Sequence, residues 1–290
     1  MSAGKKFREA LVESAPLQIV GTINAYQALQ ATKVGHRALY LSGAGVANAS
    51  YGLPDLGITG LQEVCMDVQR ICAICPTPLI VDADTGFGHA LNIARTITQL
   101  IKSGAAGAHL EDQVSAKRCG HRPNKACVST QEMCDRLGAA HQARSLDPHF
   151  YLIARTDARA KEGLESAITR ALSYVGAGAD AIFAEALESL EEYRAFVQAV
   201  PVPILANITE FGRTPLFSLE ELKSVGVKMA LYPLSAFRAM NKAALEVYQD
   251  LKDKGTQRDQ IARMQTREEL YEMLDYYSYE AQMDALLAKD

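Results

Sequence analysis

Leu79-Ile-Val-Asp-Ala-Asp84 and Gly107-Ala-His-Leu-Glu-Asp112 are short apolar runs that each end in carboxylates, and the segment Leu91–Ser103 between them carries apolar residues at helical spacing. Strand, helix, a Ser103-Gly-Ala-Ala-Gly107 turn and a second strand make one βαβ unit, whose crossover sets the two strands parallel. The alternation recurs along the chain. Strands are expected at Leu17–Ala25, Ala38–Gly43, Leu79–Asp84, Gly107–Asp112, Phe150–Asp157, Ala181–Glu185, Ile204–Thr209 and Met229–Leu234. Helical periods fall at Leu61–Ile74, Leu91–Ser103, Thr130–Arg144, Leu164–Val175, Leu187–Val200 and Leu219–Val225. Eight such units predict an α/β fold, a (β/α)8 barrel of the TIM type, with residues 1–290 as one domain.

Composition agrees with a single core. The chain has 290 residues, 48% of them hydrophobic, and no Pro/Gly/Ser-rich linker divides it. The net charge is −4 with both signs interspersed, so no basic footprint points to nucleic acid or an anionic membrane. Small molecules are the expected partners. The N-terminus lacks the apolar core of a signal peptide and no stretch is long enough to span a bilayer, which predicts a cytoplasmic protein. Six cysteines then read as reduced thiols. Cys72 and Cys75 form a lone Cys-x-x-Cys inside an apolar helical pattern, better explained as buried structural cysteines than as half of a zinc site.

Barrel enzymes place their chemistry at the C-terminal ends of the strands. Here those ends supply Asn24, Ser42-Gly-Ala-Gly45, Asp82 and Asp84, Glu111 and Asp112, Arg155 and Asp157, Glu185, Asn207 and Thr209, with Arg238 shortly after the last. Asp82 and Asp84 lie two apart on one side of a strand end; with Glu111 they form an all-oxygen set suited to Mg²⁺ or Mn²⁺. The alternative is that these carboxylates pair with Arg155 or Arg238. Backbone N–H groups of the Ser42–Gly45 turn suit a carboxylate or phosphate. Beyond Glu111, Cys119 stands among Lys117, Arg118, His121 and Arg122, a setting that favours a thiolate and suits proton transfer near neutral pH. A solvated basic loop with an incidental cysteine is the plainer alternative.

Past the eighth strand the chain exceeds what a minimal barrel needs. A helix at Ala236–Lys252 and a further amphipathic pattern at Arg267–Leu287, with Tyr271, Tyr276, Tyr277 and Tyr279, make 236–290 a C-terminal helical extension. Its apolar face must bury against a neighbouring subunit or fold back on its own chain.

Lys117-Arg-Cys-Gly-His-Arg-Pro-Asn-Lys125, taken with Ser42-Gly-Ala-Gly45, Asp82-Ala-Asp-Thr-Gly-Phe-Gly88, Ala154-Arg-Thr-Asp157, Asn207-Ile-Thr-Glu-Phe-Gly212 and Leu231-Tyr-Pro-Leu-Ser-Ala-Phe-Arg238, resembles the isocitrate lyase and phosphoenolpyruvate mutase superfamily. The resemblance is strongest to its branch serving the methylcitrate cycle of propionate breakdown. It implies a barrel with a swapped terminal helix, a homotetramer, Mg²⁺ dependence, and cleavage of a methylated 2-hydroxy tricarboxylate to pyruvate and succinate. By the same resemblance Asp82 and Asp84 hold the metal, with Glu111 assisting through water. Ser42, Gly43, Ala44, Asp55, Arg155, Glu185, Asn207, Ile208, Thr209, Arg238 and Arg267 line the substrate site, and Cys119 with Gly120 closes over it. Phe183, Leu231 and Pro233 surround the methyl group, and Tyr40 is the base. Cys119 is the general acid. Two positions depart from the pattern: Ala44 stands for a glycine, which strains the turn if residue 44 needs a positive φ, and Ala184 stands for a proline. Isocitrate lyases carry long insertions absent here, phosphonopyruvate-type enzymes lack the cysteine, and a barrel reduced to binding or regulation would not need the intact carboxylates.

Overall fold

The computed structural model describes residues 1–115, 117 and 126–288. Eight parallel strands close into a barrel in sequence order: β1 Leu17–Gly21, β2 Ala38–Leu41, β3 Leu79–Asp82, β4 Gly107–Glu111, β5 Tyr151–Thr156, β6 Ala181–Ala184, β7 Ile204–Asn207 and β8 Met229–Tyr232, with β8 pairing back onto β1. All eight expected strands are present. Each observed strand stops one to four residues before the expected C-terminal end, where the chain leaves the hydrogen-bonded ladder and enters the loops.

Side-chain alternation divides the apolar residues into two shells. Leu17, Ile19, Ile80, Tyr151, Ile153, Leu205 and Met229 fill the lower interior, and the helix Ala3–Glu13 plugs its floor with Phe7 and Ala10. Their sequence neighbours Leu39, Leu79, Val81, Leu152, Ile182 and Ala206 face outward into a second core under the surrounding helices. At Gly21 a Cβ would lie 1.7 Å from the Pro233 carbonyl oxygen, so only glycine lets β1 approach the end of β8.

The helices expected from periodicity occur at Leu61–Cys72, Ala90–Lys102, Thr130–Ala143, Leu164–Gly176, Leu190–Ala199 and Leu219–Ser224. Ser129, Ser189 and Ser218 cap three of them by accepting from the backbone N–H three residues on.

The chain forms two compact units, Met1–Phe237 and Arg238–Asp290. The boundary falls inside the helix Ser235–Lys254. Beyond it, the single amphipathic run expected over Arg267–Leu287 is two helices, Arg267–Leu274 and Tyr276–Leu287, broken where Asp275 adopts a left-handed φ of 54°. None of these three helices contains a buried residue. Among the described residues, no helix is long and apolar enough to cross a membrane.

Candidate active site

The register sets the charged residues side by side at one end of the barrel. Asp82 on β3 pairs with His109 on β4, Glu111 on β4 with Arg155 on β5, Arg155 with Phe183 on β6, and Asn207 on β7 with Leu231 on β8. Asp82, Arg155 and Asn207 reach the interior because each stands two residues beyond an interior apolar residue of its own strand, Ile80, Ile153 and Leu205, and Glu111 shares a side of β4 with His109.

Asp82 is held from several sides. Its Oδ2 accepts from Gly43 N at 3.0 Å and from the Tyr40 hydroxyl at 3.4 Å, and its Oδ1 accepts from Asp84 N at 3.0 Å. The glycine turn therefore does bind a carboxylate, but one of the protein's own. Gly43 fits tightly there: a Cβ would lie 3.1 Å from Asp82 Oδ2 and 3.2 Å from Asp84 Oδ1, so a larger residue would displace the carboxylates by a few tenths of an ångström. Ala44 lies in the helical turn Gly43–Gly45 and has no left-handed φ, so the feared strain is absent. The left-handed residue is Asp84 itself, at φ 49°. Burial opposes ionisation of Asp82, and the His109 ring, the charges of Lys117 and Arg155 and the Asp84 backbone N–H together outweigh it, holding that carboxyl low. Burial and the Asp82 charge push Asp84 the other way.

His109 was not singled out in the sequence, although its spacing of two from Glu111 places it on the same face. Its Nε2 meets the Tyr40 hydroxyl at 2.8 Å and its ring packs edge-on to Phe183, 5.3 Å between centroids. Burial lowers its pKa to about 4, despite the opposing pull of Asp82. The ring is therefore neutral at pH 7, and the ion pair it could make with Asp82 Oδ1 at 3.4 Å forms only on protonation. Burial and the Asp82 charge raise the Tyr40 phenol well above its ordinary value.

Arg155 is the second focus. Its guanidinium donates to both oxygens of Asp157, at 3.0 and 3.2 Å, and pairs with Glu111 at 3.4 Å and Glu185 at 3.2 Å. It also lies over the Phe183 ring, 5.0 Å from the centroid. Burial works against its charge, and the carboxylates of Asp157, Glu111 and Glu185 more than restore it. Asp112 braces the cluster from behind, accepting from Thr156 Oγ1, the Tyr174 hydroxyl and Asp157 N. The expected alternative of an Asp82/Asp84 pair bridged to Arg155 does not occur among the described residues; Arg155 pairs with Glu111, and Asp84 with Lys117.

Asn207 Nδ2 stands 3.4 Å from both oxygens of Glu185. Ser42 and Thr209 are buried nearby on their strand ends, Leu231 lies in the interior cluster, and Pro233 is half-buried. Ile208 differs: its side chain packs into the outer core, so only its backbone faces the others. Cys119 and Gly120 lie outside the described residues. Arg238 and Arg267 belong to the second unit.

The segment bearing Cys119 springs from a fixed stem. Gln113 and Cys127 form an antiparallel bridge, Arg136 donates to Gln113 O and Arg170 to Val128 O, each at 2.9 Å. Lys117, two residues before Cys119 in sequence, is buried against carboxylates, pairing with Asp84 Oδ1 and with Asp55 Oδ1 at 2.7 Å. Sequence spacing carries no signal for that pairing, which spans 62 residues.

Among the described residues, no three His, Cys, Asp or Glu side chains converge as a closed metal cage. An open Mg²⁺ site needs fewer, since that ion keeps several waters and uses one or two carboxylates. The Asp82/Asp84 pair meets this requirement. Asp84 Oδ1 touches Lys117 as an ion pair without hydrogen-bond geometry, and Glu111 Oε1 and Asn207 Oδ1 are also buried without a hydrogen-bond partner.

Comparison with known proteins follows the same lines. Residues 7–252 match the family model for phosphoenolpyruvate phosphomutase. The chain is 60% identical over 289 residues to 2-methylisocitrate lyase of Escherichia coli (strain K12), covering 99% of this chain and 97% of that protein. Among solved structures, 2,3-dimethylmalate lyase, a PEP mutase/isocitrate lyase superfamily member, matches with a TM-score of 0.90 at 35% identity over 98% of this chain and 96% of the other. Phosphonopyruvate hydrolase in complex with oxalate and Mg²⁺ matches at 0.84 and 28% identity, over 97% and 98%.

Proposed function

This chain belongs to the phosphoenolpyruvate phosphomutase family and is a lyase, and from that premise we propose that it cleaves 2-methylisocitrate to pyruvate and succinate, the lytic step of the methylcitrate cycle of propionate catabolism. The observation that carries the reading is the pairing of two groups on adjoining strand ends. Asp82 and Asp84 form an open carboxylate pair, and Arg155 is fixed by three carboxylates beside them. A substrate with three carboxylates and one hydroxyl needs both.

Asp82 and Asp84 would hold Mg²⁺ or Mn²⁺, with Glu111 assisting through water; when bound, the ion supplies a Lewis acid for the hydroxyl oxygen and the forming ketone. Tyr40 takes the proton of the C2 hydroxyl. Because its pKa is raised, it does so while passing its own proton to His109 Nε2, 2.8 Å away, and never rests as phenolate. The C2–C3 bond then breaks, its electron pair passing into the succinate fragment as an aci-carboxylate. Arg155, Asn207 and Thr209 stabilise that charge. Cys119 protonates C3 to complete succinate. Ser42, Ala44, Arg238 and Arg267 orient the carboxylates, Gly43, Asp55 and Glu185 line the site by holding Asp82, Lys117 and Arg155, and Phe183, Leu231 and Pro233 seat the C2 methyl.

We read 236–290 as an extension of one barrel domain that serves a homotetramer. The first unit has an apolar groove lined by Val20, Ala31, Val34 and Tyr232, and the tail carries Leu245, Tyr248, Ile261, Tyr277, Tyr279 and Leu286 exposed. A second copy's tail would cover such a groove. A reduced cytoplasmic setting suits the five described cysteines, all free thiols.

Pyruvate release from 2-methylisocitrate by the purified protein tests the whole reading. Activity should vanish with a chelator and return with Mg²⁺ or Mn²⁺. Full turnover in a metal-free preparation, or none with metal restored, rules the reading out.

A further inference from the structure

Lys117 is 6% exposed, and its ammonium is shared between Asp55 Oδ1 at 2.7 Å and Asp84 Oδ1. Asp84 is half of the carboxylate pair assigned to the metal above, and this inference rests on that assignment. The oxygens of its partner Asp82 already take the Gly43 and Asp84 backbone N–H groups. Asp84 Oδ1 takes no hydrogen bond, so the Lys117 ammonium beside it is its chief compensation. A divalent ion bound to Asp84 would approach the same oxygen. Two cations of total charge +3 around one buried carboxylate repel strongly, because little water screens them.

Asp55 gives the displaced ammonium a second seat. It is half-buried, lies on a different stretch of chain from Asp82 and Asp84, and already holds Nζ. We propose that Lys117 is a built-in competitor of the metal: it neutralises Asp84 when no ion is bound and is handed over to Asp55 when the ion arrives. Metal affinity is thereby weakened in the free enzyme, and the stability of the empty site is kept.

Mn²⁺ binding to the full-length protein without substrate, followed by electron paramagnetic resonance, tests this without reading activity. Lys117→Met should bind Mn²⁺ at least about tenfold more tightly than wild type, since a like charge has been removed from beside the ion. Lys117→Gln should do the same, a second variant in case the first folds poorly. Asp55→Asn should bind more weakly, because the ammonium then has Asp84 alone. In the Lys117→Met background the Asp55→Asn effect should shrink to under about twofold, the signature of residues that act through each other. Unchanged or weaker Mn²⁺ binding in both Lys117 variants overturns the proposal, as does an undiminished Asp55→Asn effect in the double variant. If wild type shows no Mn²⁺ binding that Asp82→Ala abolishes, the metal assignment itself fails and the competition with it.

Discussion

The lower and upper halves of the barrel interior are built from the same strands, by residues only two positions apart, and they are opposites in chemistry. Ile80, Ile153 and Leu205 lie in a fully apolar lower layer closed by Phe7. Two residues further along the same strands stand Asp82, Arg155 and Asn207, almost equally buried. Tyr40, His109 and Phe183 form the transition between them. Burying the lower set stabilises the fold at about 25 cal/mol per Å² of apolar surface. Burying the upper set costs desolvation, which the bidentate Arg155–Asp157 pair and Lys117 offset only in part. What is left over sits on single atoms: Asp84 Oδ1, His109 Nδ1, Glu111 Oε1 and Asn207 Oδ1. Stability and function are thus separated by one step of β-alternation, and a ligand in the upper half supplies the bonds that the fold leaves unmade.

The widest separation should come from Cys119→Ser, at a residue assigned wholly to chemistry. Serine keeps the size but is far too weak an acid near neutral pH, so kcat should fall about 10²- to 10⁴-fold while substrate binding and the unfolding midpoint stay near wild type. Steady-state kinetics beside a thermal melt give both readouts. A near-normal kcat removes Cys119 from the reaction.

How far this division was legible beforehand depended on the range of each interaction. The strands were readable because parallel strands buried on both faces are continuous apolar runs, and most site positions because the middle four runs end in charges, as in Leu79-Ile-Val-Asp82 and Tyr151-Leu-Ile-Ala-Arg155. Alternation also placed Phe183 and Glu185 on one side, and both are buried with Arg155. Pairings across the chain left no such trace. Lys117 read as one cation of a basic loop, and nothing in its spacing pointed to its pairs with Asp55 and Asp84, distant in sequence. Gly43 read as a cradle for substrate, whereas Asp82 occupies its N–H. The break at Asp275 was missed because apolar and aromatic residues continue through it, and only the backbone φ reveals it.

The lower half yields the converse prediction. Phe7 is fully buried in the floor and packs against Tyr151 at a tilt of 53°, with ring centroids 4.9 Å apart. Phe7→Ala should cost about 3–5 kcal/mol of stability and leave kcat per folded molecule unchanged. Glu185→Gln, two residues above the apolar Phe183, should cost activity with little loss of stability. Equal damage to both properties in both variants would erase the division between the halves.

His109 lies on the boundary, and pH probes it. Its folded pKa is lowered by burial from 6.5 to about 4, so the unfolded chain binds the extra proton more readily. The stability gained by keeping the ring neutral is whole above pH 6.5 and is lost as pH falls from 6.5 towards 4, about 3 kcal/mol in all. Urea unfolding in chelator at pH 7.5 and pH 5 should therefore show a larger acid loss for wild type than for His109→Gln. Identical losses would mean that the folded ring takes up its proton as readily as the unfolded chain, and a smaller loss in wild type would mean that Asp82 holds it charged.

The smallest expected effect concerns one methyl group. Filling or missing a methyl in an apolar niche is worth about 1–3 kcal/mol, so preference for 2-methylisocitrate over isocitrate in kcat/KM should be roughly 10- to 200-fold and not absolute. Phe183 is the niche residue whose surroundings are clearest, and it touches more than the niche. Its ring supports the Arg155 guanidinium from below and meets His109 edge-on. Phe183→Trp should therefore slow both substrates by disturbing Arg155, and the diagnostic quantity is the ratio. Added bulk should penalise the methylated substrate more, moving the preference towards isocitrate. An unchanged ratio, with both rates reduced together, would assign Phe183 to holding Arg155 alone and place the methyl against Leu231 and Pro233. A wild-type enzyme that cleaves isocitrate as well as the methylated substrate would remove the niche altogether and leave the metal, arginine and acid assignments standing.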